Sequence, residues 1–183
     1  MSQNKVLIID IQRHGDLRGF FAETYTKNRY TELGVDVDFV QDNHSLSRDI
    51  GTLRGLHFQA HPHAQGKLVR CGHGAIFDVA VDIRIGSPTY GQWEGHILSN
   101  DNGRQLYIPV GFAHGFVTLK PNSEIVYKCS SYYAPETEGS VFWNDPDIGI
   151  KWPLNIKPVL SYKDQCAPFL KDFNSPFIYG INS

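Results

Sequence analysis

The chain has 183 residues, is 41% hydrophobic and carries a formal net charge of -2. That length supports one substantial core and is short for two, so residues 1–183 are expected to form a single domain. The near-neutral balance offers no basic field for nucleic acid, and no block of five like charges marks a charged arm.

In chain order, residues 5–12 are apolar and β-branched, which predicts an opening strand. His14, Gly15 and Asp16 read as a turn, after which residues 18–23 resume. Residues 27–34 predict a short helix stopped by Gly34. Residues 38–43 place polar groups directly after an apolar pair. Leu53, Leu56 and Phe58 are spaced as a half-buried strand. Residues 75–84 alternate cleanly. Ala75, Phe77, Val79, Val81 and Ile83 face one way; Ile76, Asp78, Ala80, Asp82 and Arg84 face the other. That second face meets either water or a polar cavity. Further strands are predicted near 93–99, 104–109, 115–120 and 124–132, separated by glycine, proline and asparagine turns. From Pro135 onward the chain reads as a long irregular segment pinned by Trp143 and Trp152, with a short helix near 163–170. Many short strands at this spacing predict an all-β sandwich or barrel with short peripheral helices.

Cys71, Cys129 and Cys166 are odd in number and far apart, and none forms a CxxC pair. They read as free thiols in a reducing compartment rather than a disulfide framework or a zinc clip. The N-terminus lacks the apolar length of a signal peptide, and no run of 18 apolar residues occurs. A soluble cytoplasmic domain without membrane contact is expected.

The stretch from Gly51 to Gly74 concentrates four histidines, Lys67 and several glycines. Gly51, His57, Gln59, Lys67 and Gly74 form one frame. Gly103, Pro109, Gly111 and His114 form a second, about fifty residues on. These spacings resemble the two motifs of the cupin superfamily, which implies a jelly-roll barrel with a cavity in its mouth. Metal-binding members read His-x-His and then Glu in the first frame. Here Gln59 stands at the second histidine, and Lys67 stands near the acid. An ammonium at that point repels a divalent cation, so no metal and no cofactor are expected. His61 and His63 read as loop residues. His114 reads either as a satisfied core histidine or as a donor facing the cavity.

Without a metal, a histidine, a lysine, an arginine and a tyrosine remain. A neutral imidazole takes a proton, an ammonium stabilises an oxyanion, and a phenol returns a proton. That set suits proton abstraction beside a carbonyl. No nucleophile elbow, G-x-G-x-x-G or P-loop occurs.

The runs DLRGFFAE (16–23), FVQDNHSLS (39–47), LRGLHFQ (53–59), QGKLVR (65–70), DVAVDIRIGSPTYGQW (78–93), RQLYIPVGFAHGF (104–116), VYKCSSYYAPETEG (126–139), WNDPDIGIKWP (143–153) and LSYKD (160–164) closely resemble the dTDP-4-dehydrorhamnose 3,5-epimerase family. The resemblance implies a dTDP-sugar substrate, dTDP-4-keto-6-deoxyglucose, inverted at C3 and C5. It implies that His57 is the base and that Asp164 holds its far ring nitrogen. It implies that Lys67 stabilises the C4 enolate and that Tyr127 is the acid on the opposite face. Arg18 and Arg54 match positions for pyrophosphate or sugar oxygens. Phe20, Glu23, Gln41 and Asn43 match nucleoside positions, and His114, Glu138 and Lys163 match further binding positions. Arg18 and its neighbours reach a partner subunit in this family, which implies a strand-exchanged homodimer. Tyr132 and Tyr133 stand close enough in sequence to rival Tyr127. Three rivals to the 3,5-epimerase stay open: a C3-only epimerase or 3,4-ketoisomerase, a ligand-binding cupin without turnover, and a metal-dependent cupin enzyme. Residues 169–183 have no assigned role.

Overall fold

A computed structural model describes residues 5–181 of the chain. Two five-stranded antiparallel sheets face one another, with strands numbered along the chain. The first has the order β1 (Leu7–Ile9), β9 (Gln105–Ile108), β6 (Lys67–His73), β11 (Ser123–Cys129), β4 (Gln41–Ser47). The second has the order β12 (Glu138–Ser140), β5 (Leu53–Gln59), β10 (Phe112–Thr118), β7 (Ala75–Asp82), β8 (Trp93–Ser99). A separate hairpin pairs β2 (His14–Asp16) with β3 (Gly19–Phe21). This is the expected all-β jelly roll.

Strand alternation sorts the side chains. Val69, Cys71, Ile76, Ala80, Leu106, Phe116 and Ile125, drawn from both sheets, fill the space between them. Each such side chain taken from water contributes roughly 1.5–3 kcal/mol if it is a full Val, Leu, Ile or Phe. The other face of the second sheet is covered by Val141, Ile148, Ile150 and Phe177 from the C-terminal third. The other face of the first sheet is covered by α1 (Lys27–Glu32), whose Tyr30 is fully buried and donates to Gln105 Oε1. Both outer covers leave the interior of the barrel as the place where polar groups can face a cavity.

Several sequence expectations change in detail. The turn predicted at residues 14–16 lies at 17–18, and β2 occupies the predicted turn. Asp16 accepts the Arg18 backbone N–H at 2.8 Å, an Asx-type turn, and Gly19 follows at φ +131°. The opening strand shortens to Leu7–Ile9. The helix over 27–34 forms, and Gly34 at φ +98° ends it. The helix near 163–170 shrinks to α2 (Tyr162–Gln165), because the residue before Pro168 is disfavoured in α conformation; a 3-10 turn, Leu170–Asp172, comes after it. The region after Pro135 contains β12, which pairs with β5. Strands β4 and β6 were not singled out by their patterns.

Of the two tryptophans, Trp152 pins the irregular segment to the barrel, and Trp143 packs on Trp152. Trp152 packs on the second sheet and its Nε1 donates to the Trp143 carbonyl at 2.9 Å. Residues 169–181 also gain a role. Phe173 and Phe177 pack edge-on against Phe58, and Ile178 bridges to Ile85. The polar face of β7 points inward: Asp78 and Asp82 are buried, and Arg84 beyond the strand end clamps Asp82 through Nε and Nη2. Hydrogen bonds from Arg84, Ser87 and Thr89 outweigh the burial that would raise the Asp82 carboxyl, and hold it low.

Candidate active site

One strand irregularity creates the site. In a regular strand, residues 54 and 57 would point to opposite faces. Here β5 carries one extra residue against β10. His114 pairs with His57, and Phe116 pairs with Arg54, so two steps on β10 meet three on β5. This β-bulge turns both Arg54 and His57 toward the same cavity. Gly55, at φ +136°, makes the bulge possible. A Cβ there would lie 2.5 Å from the Gly115 Cα.

The cavity measures about 610 Å³ and opens between the sheets. That volume falls in the range of small-molecule sites. His57 and His114 enter from the second sheet, and Lys67 and Tyr127 from the first. Asp164 and Lys163 enter from α2, and Glu138 from β12. An adjoining cavity of about 330 Å³ shares His57, Lys67 and Tyr127 and adds Gln41 and Asn43. Ten of the thirteen predicted site residues are thereby brought together. The other three, Arg18, Phe20 and Glu23, line neither cavity. Arg18 and Phe20 lie on the outlying hairpin, where the Arg18 side chain is 90% exposed and paired with Asp16.

His57 Nε2 lies 2.5 Å from Asp164 Oδ1. The second carboxylate oxygen accepts from Ser161 Oγ at 2.7 Å, and Ser161 also caps α2 by accepting the Asp164 N–H. Burial pushes the Asp164 carboxyl up, but hydrogen bonds from His57 and Ser161 reverse this and hold it below the usual carboxylate range. Asp164 is thus an anion that fixes one ring nitrogen of His57, leaving Nδ1 as the nitrogen that can take a proton.

The opposite wall is cationic and phenolic. Burial pushes the Lys67 ammonium below its ordinary value, with Cys129, Asp78 and Glu138 acting the other way. Burial raises the Tyr127 phenol, so it is protonated at neutral pH and can donate. His114 is a satisfied histidine that also faces the cavity. It is buried, it lines the cavity, and its Nε2 meets both Asp78 oxygens at 3.0 and 3.1 Å. Lys163 Nζ pairs with Glu138 Oε2 at 2.6 Å, and Tyr133 Oη lies 3.3 Å from the same oxygen.

Sequence reasoning missed Asp78 and Ser161. Asp78 was signalled by its place on the polar face of β7. Ser161, three residues before Asp164, was signalled as a helix cap. Gln59, at the second metal-ligand position of the cupin frame, has its amide fully engaged by backbone groups. Among the described residues, no three His, Cys, Asp or Glu side chains cluster closely enough to hold a metal ion.

The arrangement offers a carboxylate-held imidazole on one sheet, facing a phenol and an ammonium on the other. A ring lying between them would meet the imidazole on one side and the phenol on the other.

Known proteins share this architecture. A family model described as dTDP-4-dehydrorhamnose 3,5-epimerase matches residues 2–172. The chain is 58% identical over 166 residues, 90% of each chain, to the dTDP-4-dehydrorhamnose 3,5-epimerase of Salmonella typhimurium. A crystal structure of dTDP-6-deoxy-D-glucose-3,5-epimerase from Legionella pneumophila, in complex with dTDP-4-keto-L-rhamnose, superposes with a TM-score of 0.89. It shares 50% identity and covers 92% of this chain and 89% of that one. A more distant neighbour is a 3'-monoepimerase from Streptomyces bikiniensis in complex with dTDP-quinovose. Its TM-score is 0.87 at 38% identity, covering 94% of this chain and 87% of that one. The chain belongs to the dTDP-4-dehydrorhamnose 3,5-epimerase family.

Proposed function

We propose that this isomerase converts dTDP-4-keto-6-deoxyglucose to dTDP-4-keto-L-rhamnose by inverting C3 and C5. The observation that carries the reading is that His57 and Tyr127 line one cavity from opposite sheets, with Lys67 beside them. His57 takes the proton from C3, and the C–H electron pair moves toward the C4 oxygen. Lys67 holds the negative charge that develops there. Tyr127 then gives its proton to the other face of C3. His57 is left protonated and Tyr127 ionised, and exchange with solvent restores both. The same cycle at C5 completes the double inversion. Asp164 stabilises the imidazolium during each cycle.

Arg54 and Lys163 supply positive charge at the cavity for the diphosphate, and the remaining ring nitrogen of His114 accepts from a sugar hydroxyl. Gln41 and Asn43 in the adjoining cavity serve the nucleoside. Arg18, Phe20 and Glu23 serve the site of a second copy in a homodimer. Support comes from the β2–β3 hairpin, which exposes Leu17, Phe20 and Phe21 and pairs with itself. Residues 1–183 act as one catalytic domain in the cytoplasm; Cys71, Cys129 and Cys166 are free thiols.

A second reading, epimerisation at C3 alone, is favoured by the shared fold of the 3'-monoepimerase neighbour. Proton NMR with dTDP-4-keto-6-deoxyglucose in deuterium oxide separates the two. Label at C3 and C5 is the expected result. Label at C3 alone selects the second reading, and label at neither carbon overturns both.

A further inference from the structure

We propose that Gln59 is a positioning residue for the wall of the site formed by Tyr133, and that it thereby sets how the sugar lies between His57 and Tyr127; the proposal rests on the epimerase reading above.

Residues 130–134 cross from β11 in the first sheet to the turn that precedes β12 in the second. They therefore join the strand of Tyr127 to the strand of Glu138, beside the cavity. Tyr133 lines both cavities, yet it is 58% exposed, and Tyr132 is 66% exposed. Apolar burial does not hold these two rings in place. Side-chain amides hold their backbone instead. Gln59 Nε2 donates to the Tyr132 carbonyl at 3.1 Å and to the His63 carbonyl at 2.7 Å. Gln59 Oε1 accepts the Ala134 N–H at 3.0 Å. Gln41 Oε1 accepts the Tyr133 N–H at 2.9 Å, and Gln65 Nε2 donates to the Ser131 carbonyl at 2.8 Å. Each residue from 131 to 134 thus has one backbone group tied to a glutamine.

Gln59 makes three of these contacts and is 4% exposed, so its amide has no water to exchange with. The chemistry requires glutamine. One acceptor must meet an N–H while two donors meet two carbonyls. Glutamate has no donor, and methionine keeps the shape while losing all three bonds. Gln59 follows His57 by two residues on β5, at the point where a metal-binding cupin carries its second histidine. A polar end that would otherwise hold a metal ion is directed to the loop. Tyr133 inherits its place from that clamp, whereas the His57–Asp164 pair is built by α2 and does not depend on it.

The test compares wild type, Gln59→Met, Tyr133→Ala and the double variant. It measures KM, the kcat–pH profile and deuterium incorporation at C3 and C5. For Gln59→Met, KM should rise at least about fivefold and the C5-to-C3 label ratio should change at least about threefold. The pH limbs should stay in place. In the Tyr133→Ala background, Gln59→Met should alter the ratio by less than about twofold, because its route is gone. A KM and ratio within about twofold of wild type overturn the inference, as does an effect undiminished in the Tyr133→Ala background. If Gln59→Met does not fold, Gln59→Asn, which keeps the amide but leaves it one methylene short of the three backbone groups, is read by the same criteria. A wild-type enzyme that exchanges neither carbon overturns the epimerase reading; a wild-type enzyme that exchanges both beside a silent Gln59→Met overturns only this inference.

Discussion

Gly55 and Gly115 touch backbone to backbone across β5 and β10, so that a Cβ on Gly55 would stand 2.5 Å from the Gly115 Cα and 2.9 Å from the His114 carbonyl oxygen. The contact sits inside the bulge that turns Arg54 and His57 to one face. Gly55→Ala must therefore push the strands apart and also strain a backbone held at φ +136°. It should cost roughly 2–4 kcal/mol of stability and lower kcat at least about 100-fold. Thermal unfolding and steady-state kinetics check this. Near-wild-type values in both would show that the bulge does not aim the base.

Asp164→Asn should lower kcat by about 10³- to 10⁴-fold, because an amide neither fixes the ring nitrogen in the same way nor balances an imidazolium. KM should stay within a few fold. Ser161→Ala, which removes the donor to the Asp164 carboxylate and the acceptor of the Asp164 N–H, should give a much smaller loss. Equal losses in the two variants would contradict a carboxylate acting through charge.

Asp164 also links stability to acid. Its folded carboxyl is held below the ordinary value of 3.8. The native state therefore binds fewer protons than the unfolded state across that window. The resulting stability is fully present above the unfolded value and is lost as pH falls through the folded one. The difference in melting temperature between wild type and Asp164→Asn should shrink as pH drops below about 4. A constant difference from pH 7 to pH 3 would remove this linkage.

Lys67→Met should gain stability while losing activity. Burial lowers the Lys67 ammonium below 10.5, so at neutral pH the folded state carries a penalised charge. Removing it should add about 1 kcal/mol, or about 2–4 °C in Tm. The wild type recovers that penalty as pH rises from the folded toward the unfolded value, so the gap should narrow toward pH 10. Turnover should fall at least about 100-fold through loss of the enolate partner. A less stable, active Lys67→Met would reverse both assignments.

Arg18 offers a test of strand exchange. Arg18→Ala and His57→Ala should each be nearly inactive alone. If Arg18 serves a partner's cavity, a mixed dimer holds one intact site. Random mixing after reversible unfolding should restore roughly a quarter of wild-type activity. No recovery would place Arg18 at its own chain's site or outside any site.

Local pattern carried much of this molecule. The alternation over residues 75–84 defined β7 and its polar face, which only the structure turned inward, and Gly34 ended α1 where expected. The spacing of His57, Gln59, Lys67 and His114 resembles the two cupin frames and so implied the barrel, because side-chain type and spacing are properties of short stretches. Tertiary structure alone decided the rest. It joined His57 to Asp164 across 107 residues and His114 to Asp78 across 36. It moved the turn of the hairpin onto Leu17 and Arg18 and left Arg18, Phe20 and Glu23 away from the chain's own cavity. It also reversed the facing of Arg54 relative to His57, since a bulge exists only when a strand is paired with another. Residue spacing encodes which face a side chain takes along one regular strand; it does not encode which distant backbone approaches closely enough to require Gly55, nor which loop the Gln59 amide will meet.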